Sequence, residues 1–523
     1  MCSFRPIAVR FARLLVLIAV CGWLSSANGY AQADVETLQS MQSALTGAIE
    51  NAGRSVVAIA RVRSEAAADV TNGLNFNLPG MGKPLIDPTD PRFVPTEFAS
   101  GVILSDDGDI LTTFHALGDP TLNDYYVWHQ GIPNEATLKA KPAIVQAGDP
   151  WTDLAVLRME TSGLRPIVMG DASKLKRGMF VISLGNPYAI ARDGRASASL
   201  GIISNLQRAS VRRSTDATGN AVTSSEQLHE FGTLIQTDAR LNLGTSGGAL
   251  VDLEGKMIGL TTSLAAVAGY EQSAGFAIPI DPSMLAIIEQ LRQGKTPAFG
   301  FLGLEPTDLP KAQRTAGRRG AIVRQVMPGM PADLAGLRSG DLITQVDDQP
   351  LDDAAGLFRE MSRRPANSQV RLTRTTGNPI TNSMQEDVVS VQLGKKYLAL
   401  SKPGYSRFPE PTWRGMRVDY GTAIPPAQML GFSRPGTILP VAIISVDPDT
   451  PAWEAGLRPG QFVEKVDATP VLGPEMFHRL VNAADGAVEI TILDGSERTR
   501  TVTVNQSTPE SGPRDRQSES VDR

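Results

Sequence analysis

A twenty-residue pattern runs through this chain twice. Pro-Ala-Asp-Leu-Ala-Gly-Leu-Arg-Ser-Gly-Asp-Leu-Ile-Thr-Gln-Val-Asp-Asp-Gln-Pro at 331–350 returns as Pro-Ala-Trp-Glu-Ala-Gly-Leu-Arg-Pro-Gly-Gln-Phe-Val-Glu-Lys-Val-Asp-Ala-Thr-Pro at 451–470, with ten of 20 positions identical at an offset of 120. Solenoid repeats recur every 20–50 residues or so. A unit of about 100 residues present in two copies therefore means two domains of one kind. Each copy reads as strand, short helix, glycine turn, strand. The 523 residues suggest about three domains, which leaves the N-terminal half to a different fold.

That half carries Gly-Thr-Ser-Gly-Gly-Ala-Leu at 244–250. The heptapeptide puts Ser246 on a glycine-rich turn between two expected strands, Gly232–Thr237 and Met257–Thr262. Small neighbours leave the hydroxyl open and let backbone N–H groups converge, which acyl transfer requires. A serine nucleophile needs a base, and the base needs an orienting carboxylate. Of four histidines, His115 ends an expected hairpin, residues 100–115, built as apolar strand, Asp-Asp-Gly-Asp turn and second apolar strand. Asp153, in Trp-Thr-Asp-Leu-Ala-Val-Leu-Arg, sits where a polar loop meets an apolar strand. The order His115, Asp153, Ser246 is that of chymotrypsin-like proteases, whereas subtilisins and α/β-hydrolases use others.

Ser-Gly-Val-Ile-Leu-Ser at 100–105, Ile-Leu-Thr-Thr-Phe-His at 110–115, Thr-Asp-Leu-Ala-Val-Leu at 152–157, Leu-Gly-Asn-Pro-Tyr at 184–188, Gly-Ile-Ile-Ser at 201–204, Gln-Thr-Asp-Ala-Arg-Leu-Asn-Leu-Gly-Thr-Ser-Gly-Gly-Ala-Leu at 236–250 and Gly-Phe-Ala-Ile-Pro at 275–279 follow one another in the order of the HtrA (DegP-like) serine proteases. The chain resembles that family over roughly residues 50–505. The resemblance implies a mostly β fold: a trypsin-like double β-barrel followed by two PDZ domains. It implies the triad His115, Asp153 and Ser246, with the N–H groups of Gly244 and Ser246 as the oxyanion hole. Thr245 departs from the usual asparagine. Being uncharged, it cannot pair with a freshly cut N-terminus as the aspartate of trypsin-like zymogens does, so regulation is expected through loop ordering.

Further assignments rest on the same resemblance. Asn-Leu-Gln-Arg-Ala-Ser at 205–210 is similar to the family's sensor loop and would make Arg208 the regulatory arginine. Arg240 lies six residues before Ser246, on the segment that floors the S1 pocket in trypsin-like folds, with Thr261 and Thr262 on the adjoining strand. An inward Arg240 would favour Asp or Glu at P1; an outward one leaves a pocket for Val, Ala or Ile. Burying an unpaired guanidinium is costly, which favours the outward reading. In the first repeat Phe301-Leu302-Gly303-Leu304 matches the carboxylate-binding loop of PDZ domains, which take an extended chain as an added strand. In the second, Trp413-Arg414-Gly415-Met416 stands in its place without a clear Leu-Gly pair. The resemblance also implies a homo-oligomer, a trimer or a multiple of trimers.

Arg5, Arg10 and Arg13 precede the apolar run Leu14–Leu24, and Ala31-Gln32-Ala33 offers a cleavage site, so residues 1–33 read as a secretory signal. Left uncleaved, the segment would be an N-terminal anchor, the only expected route to a membrane. The two cysteines, Cys2 and Cys21, both lie there, so the exported chain has no disulfide or thiol chemistry. No Cys/His cluster suggests a metal, no cofactor is expected, and no basic patch suggests nucleic acid. Export to the periplasm or cell envelope follows. The expected organisation is signal peptide 1–33, protease domain 34–295, first PDZ domain 296–397, linker 398–411, second PDZ domain 412–505 and a polar, disordered tail 506–523. Within the protease part a helix is expected at 36–52, a first strand at Ser55–Val62 and a long surface loop at Glu65–Glu97.

The expected function is an ATP-independent endopeptidase acting on unfolded polypeptides and protein C-termini. The alternative is a PDZ scaffold or chaperone with a weak or silent protease domain. An esterase on small substrates conflicts with the triad order and the PDZ pair.

Overall fold

A computed structural model describes residues 35–64, 95, 97–129, 140–186, 195–209, 214–215, 221–222, 227–262, 275–378, 383–399, 403–425, 428, 441–493 and 499–506. The expected signal segment, most of the 65–97 loop and nearly all of the tail lie outside these residues. Among the described residues no helix is long and apolar enough to cross a membrane. Two compact units result. The first comprises Met1–Ile144, Leu157–Leu206 and Ile235–Asp281; the second comprises Val145–Val156, Gln207–Leu234 and Pro282–Arg523.

The N-terminal half is built on two closed six-stranded barrels. A helix at 35–53 leads in. Its Ala48 and Ala52 are buried, Met41, Leu45 and Ile49 are half-buried, and Leu38 is exposed, so burial increases toward the C-terminal end of the helix. The first barrel uses β1 (Val56–Arg63), β2 (Glu97–Ile103), β3 (Asp109–Thr113), β4 (Asn123–Trp128), β5 (Lys141–Asp149) and β6 (Leu154–Met159), ordered β5-β4-β1-β2-β3-β6 and closed by β5 on β6. The β2–β3 hairpin is the one expected from the sequence, with Val102 opposite Leu111 and Ile103 opposite Ile110. These β-branched and leucine side chains are fully buried, which is what drives the strands to pair.

The second barrel is formed by β7 (Phe180–Gly185), β8 (Ser197–Arg208), β11 (Leu234–Thr237), β12 (Ala249–Val251), β13 (Met257–Thr262) and β14 (Gly275–Pro279), with a short ribbon of β9 (Ser214–Thr215) and β10 (Ala221–Val222) outside it. Leu175, Val181, Ile203, Ile235, Leu250, Ile258 and Ala277 fill its interior. The serine turn lies between β11 and β12. The strand Ala249–Val251 was not expected; it pairs with both β7 and β13.

In the second unit the two repeats form sheets of one design. The first orders Leu304–Asp308, Ala321–Val326, Leu342–Val346, Gln369–Asn378 and Ser383–Gln392; the second orders Met416–Asp419, Val441–Val446, Phe462–Val466, Val488–Leu493 and Thr499–Val504. Each packs one amphipathic helix on its sheet, Ala354–Met361 or Pro474–Ala483. Leu357 and Met361 enter the first core, and Phe477 and Val481 enter the second. Within the expected linker, Tyr405 and Ser406 pair with Gly148 and Ala147 of β5.

Candidate active site

His115 is not at a strand end but on a one-turn helix, Phe114–Leu117, that follows β3. Phe114 and Leu117 are buried and pin the turn, leaving His115 half-exposed. The carbonyls at the end of the turn are taken by side chains: Arg61 donates to Ala116 O at 3.0 Å, and Tyr125 Oη donates to Leu117 O at 2.7 Å. So short a helix cannot hold itself, and these bonds replace the missing intrahelical ones.

The serine turn belongs to the same unit and is anchored on two sides. On one side, the Ser100 amide donates to Ser246 O at 2.8 Å, and Thr112 Oγ1 donates to Ser100 O at 2.8 Å. Thr112 lies three residues before His115 on β3. On the other side, Thr261 Oγ1 donates to Thr245 O at 2.5 Å, the Gly248 amide donates to the same oxygen at 2.9 Å, and the Gly247 amide donates to Thr261 O at 2.8 Å. A peptide group is planar and trans. Fixing Thr245 O therefore fixes the Ser246 N–H, which points away from Thr261. Ser100 Oγ donates to Gly244 O at 2.7 Å and accepts from the Asn186 amide at 2.8 Å. Thr245 Oγ1 donates to Asn242 O at 2.7 Å, so the threonine acts as a local turn bond rather than as a charge partner.

Two glycines are required by this geometry. Gly244 has φ 92°, and a Cβ there would lie 2.6 Å from the Phe98 ring and 2.8 Å from Asn186 O. Gly247 has φ 84°, and its Cβ would lie 2.1 Å from Ser100 O. Both positions combine a left-handed backbone with contact that no other residue could make. The close packing also buries the serine: Ser246 is 7% exposed, less open than its small neighbours suggest.

Asp153 stands in the turn between β5 and β6, in the second unit. It is fully buried and has φ 57°, a left-handed conformation uncommon outside glycine. Asp149 supports the turn. Its Oδ2 accepts from Thr152 N at 2.9 Å and Thr152 Oγ1 at 2.6 Å, and its Oδ1 from Trp151 N at 3.4 Å. Burial pushes the Asp149 carboxyl up to about 6 against the opposing pull of the Thr152 bonds. His229 is completely buried against this turn. Sequence reasoning missed Ser100, Asp149 and His229. An aspartate two and three residues before a Trp-Thr pair is the signature of a side-chain-capped turn and could have flagged Asp149.

The remaining expected residues fall as follows. Arg240 is exposed, and its amide donates to Ser199 Oγ at 2.9 Å. Thr261 and Thr262 are buried on β13. Arg208 is exposed at the end of β8, after Gln207 in a left-handed conformation. Phe301, Leu302, Gly303 and Leu304 line one groove with Leu357, Phe358, Met361 and Lys396. The Ala332 amide donates to Leu302 O and the Met327 amide to Gly303 O, so peptide planarity turns the N–H groups of Gly303 and Leu304 the opposite way. Lys396 Nζ lies 4.1 Å from the Trp151 ring centroid, and burial pushes its ammonium down to about 8. In the second repeat Trp413 is a core residue in edge-to-face contact with Phe477 at 5.8 Å, and Arg414 donates to Val504 O and Gly486 O. That stretch is spent on packing. Among the described residues no group of His, Cys, Asp and Glu could hold a metal ion.

The trypsin-like peptidase domain family matches residues 99–260, and the PDZ domain family matches residues 322–373 and 443–494. The periplasmic serine endoprotease DegP of Salmonella typhimurium is 26% identical over 68% of this chain and 66% of its own length. A probable periplasmic DegP-like serine endoprotease of Chlamydia pneumoniae is 31% identical over 73% of this chain and 70% of its own. The solved HtrA-type protease AlgW with tripeptide is 23% identical, with a TM-score of 0.46, over 67% of this chain and 97% of that one. The two DegP relatives are named serine endoproteases, and a scaffold with a silent protease domain finds no support in them. Two β-barrels with the serine turn in the second, followed by two matched PDZ repeats, place the chain in the HtrA (DegP-like) family of serine endoproteases.

Proposed function

We propose that the chain is an exported, ATP-independent endopeptidase that cuts unfolded or mislocalised proteins. Ser246 attacks the scissile carbonyl. His115 takes the hydroxyl proton and passes it to the leaving amine, while Asp153 holds the imidazole tautomer and stabilises the imidazolium. The N–H groups of Gly244 and Ser246 receive the oxyanion. The observation that carries this reading is the holding of Thr245 O by Thr261 Oγ1 and the Gly248 amide, which orients the Ser246 N–H before any substrate arrives, while Ser100 anchors the next peptide of the turn. Donors that need no reorganisation are the main source of stabilisation in acyl transfer.

The first PDZ domain captures protein C-termini. A peptide would add to the strand Leu304–Asp308 with its carboxylate at the Phe301–Leu304 loop. The groove lining of Phe301, Leu304, Leu357 and Met361 supports an apolar last residue. Arg208 is assigned to loop regulation and Arg240, Thr261 and Thr262 to the S1 region. Export rests on residues 1–33 and on the periplasmic names of the relatives. Assembly as a trimer or a multiple of trimers follows family likeness.

Casein digestion tests the reaction. Ser246→Ala should lose on the order of 10⁴–10⁶-fold in rate, and Asp153→Asn about 10⁴-fold. A fluorophosphonate probe should label Ser246 in the wild type alone. Casein cleavage by Ser246→Ala within tenfold of wild type would remove the assignment.

A further inference from the structure

The turn that carries Asp153 is bound from outside by one short segment. The Leu228 amide donates to Trp151 O at 2.8 Å. One residue on, His229 places Nε2 2.9 Å from Thr152 O and Nδ1 2.7 Å from Thr233 Oγ1. A carbonyl oxygen can only accept, so Nε2 carries the proton, and Nδ1 accepts from the Thr233 hydroxyl. With Asp149 holding its N and Oγ1, every polar atom of Thr152 is engaged. Both Thr152 and His229 are completely buried.

We infer that His229 is a positioning residue for peptide hydrolysis: its Nε2–H fixes the Thr152–Asp153 peptide plane and so the direction in which the Asp153 side chain leaves the backbone. The inference rests on the reading of Asp153 as the orienting carboxylate. Two observations carry it. Asp153 holds a left-handed φ of 57°, which a non-glycine residue keeps only where surrounding bonds enforce it. The carbonyl immediately before it is buried, so removing the imidazole donor leaves that oxygen without this bond in a site closed to water. A packing role would be met by any ring of similar volume. A positioning role requires a donor at Nε2, with the ring held in place through Nδ1 by Thr233.

The test compares His229→Phe, which keeps a ring but no donor, with His229→Gln, whose side-chain amide can donate to Thr152 O. Misplacing a catalytic group by about 1 Å costs on the order of 10²-fold. His229→Phe should therefore lower kcat on a short peptide by about 10–100-fold with KM held within twofold, and His229→Gln should recover most of it. In the Asp153→Asn background, with an activated ester keeping the residual rate measurable, His229→Phe should add no further loss, as expected for residues acting as a unit. Thr233→Val is the second variant, should His229→Phe melt at a much lower temperature. It leaves the imidazole in place and removes the hydroxyl that holds Nδ1 and so the ring's orientation, and kcat should fall while stability drops by no more than the loss of one buried hydrogen bond. Equal kcat in the Phe and Gln variants, a full additional loss in the Asp153→Asn background, or a wild-type kcat in Thr233→Val would each overturn the inference. If Asp153→Asn alone keeps wild-type kcat, the triad reading fails and this role with it. If Asp153→Asn is inactive while His229→Phe matches wild type, only the role of His229 fails.

Discussion

The Ser100 amide donates to the Ser246 carbonyl at 2.8 Å, tying the β2 strand of the first barrel to the turn that carries the proposed nucleophile. The Ser100 side chain adds a second tie, bridging Gly244 O and Asn186 N. Ser100→Ala keeps the backbone bond and removes the bridge between two buried groups. Leaving such groups without this partner costs about 1–3 kcal/mol. We expect a urea midpoint lowered accordingly and a kcat reduced on the order of tenfold as Gly244 loosens. A Ser100→Ala enzyme with wild-type kcat would show that the backbone bond alone holds the turn.

Asp149 makes stability depend on pH. Its carboxyl is pushed from the ordinary carboxylate range to about 6 by complete burial. An acid whose folded value lies above its unfolded value binds protons more tightly when folded. Its contribution is thus present below about pH 4 and lost as pH rises to about 6, a change of roughly 3 kcal/mol for a shift of about two units. Asp149→Asn cannot titrate. Its stability relative to wild type should climb between about pH 4 and pH 6 and level off above. Parallel unfolding curves across that range for the two proteins would show that Asp149 is not the titrating group.

Cutting the chain after Lys295 removes the partners of Trp151 and Phe231. Phe299 faces Trp151 at 6.3 Å between ring centroids, Phe358 stacks on Phe231 at 5.0 Å, and Lys396 lies over Trp151. The truncated chain should bind a hydrophobic dye more strongly and show red-shifted tryptophan emission, with the shift abolished by Trp151→Phe. Unshifted emission would mean that residues 145–156 keep their burial without the repeats.

Arg240 is exposed, and an exposed guanidinium has no desolvation cost to recover by pairing with substrate. The expected P1 residues are Val, Ala or Ile, unchanged by Arg240→Ala. Cleavage of a P1 library mainly after Asp or Glu, reverting to aliphatic in the variant, would assign Arg240 to the pocket instead.

The β2–β3 hairpin, the serine turn, the strand at Met257–Thr262 and the doubled C-terminal domain were legible in the sequence, because each is written locally. Alternating or continuous apolar runs, a tight Asp-Asp-Gly-Asp turn and repeated glycines are short-range signals. Gly244 and Gly247 announce themselves for the same reason: a left-handed backbone pressed against other atoms admits little else. What the sequence could not carry are bonds between residues far apart in the chain. Ser100 meets Gly244 across 144 positions, and His229 meets Thr152 across 77. Neither residue type has any periodicity or spacing that points to its partner. The strand Ala249–Val251 escaped notice because three residues are too few for a pattern, and it exists only because β7 and β13 flank it. His115 stands on a helical turn rather than at a strand end because Arg61, 55 positions from Ala116, and Tyr125, on the neighbouring β4, satisfy the carbonyls of that turn. By itself the sequence determined which segments form strands and turns, and where the reactive residue types stand. The tertiary structure alone decided which buried donors hold those residues in place, since a buried polar group takes whichever partner the fold brings within reach.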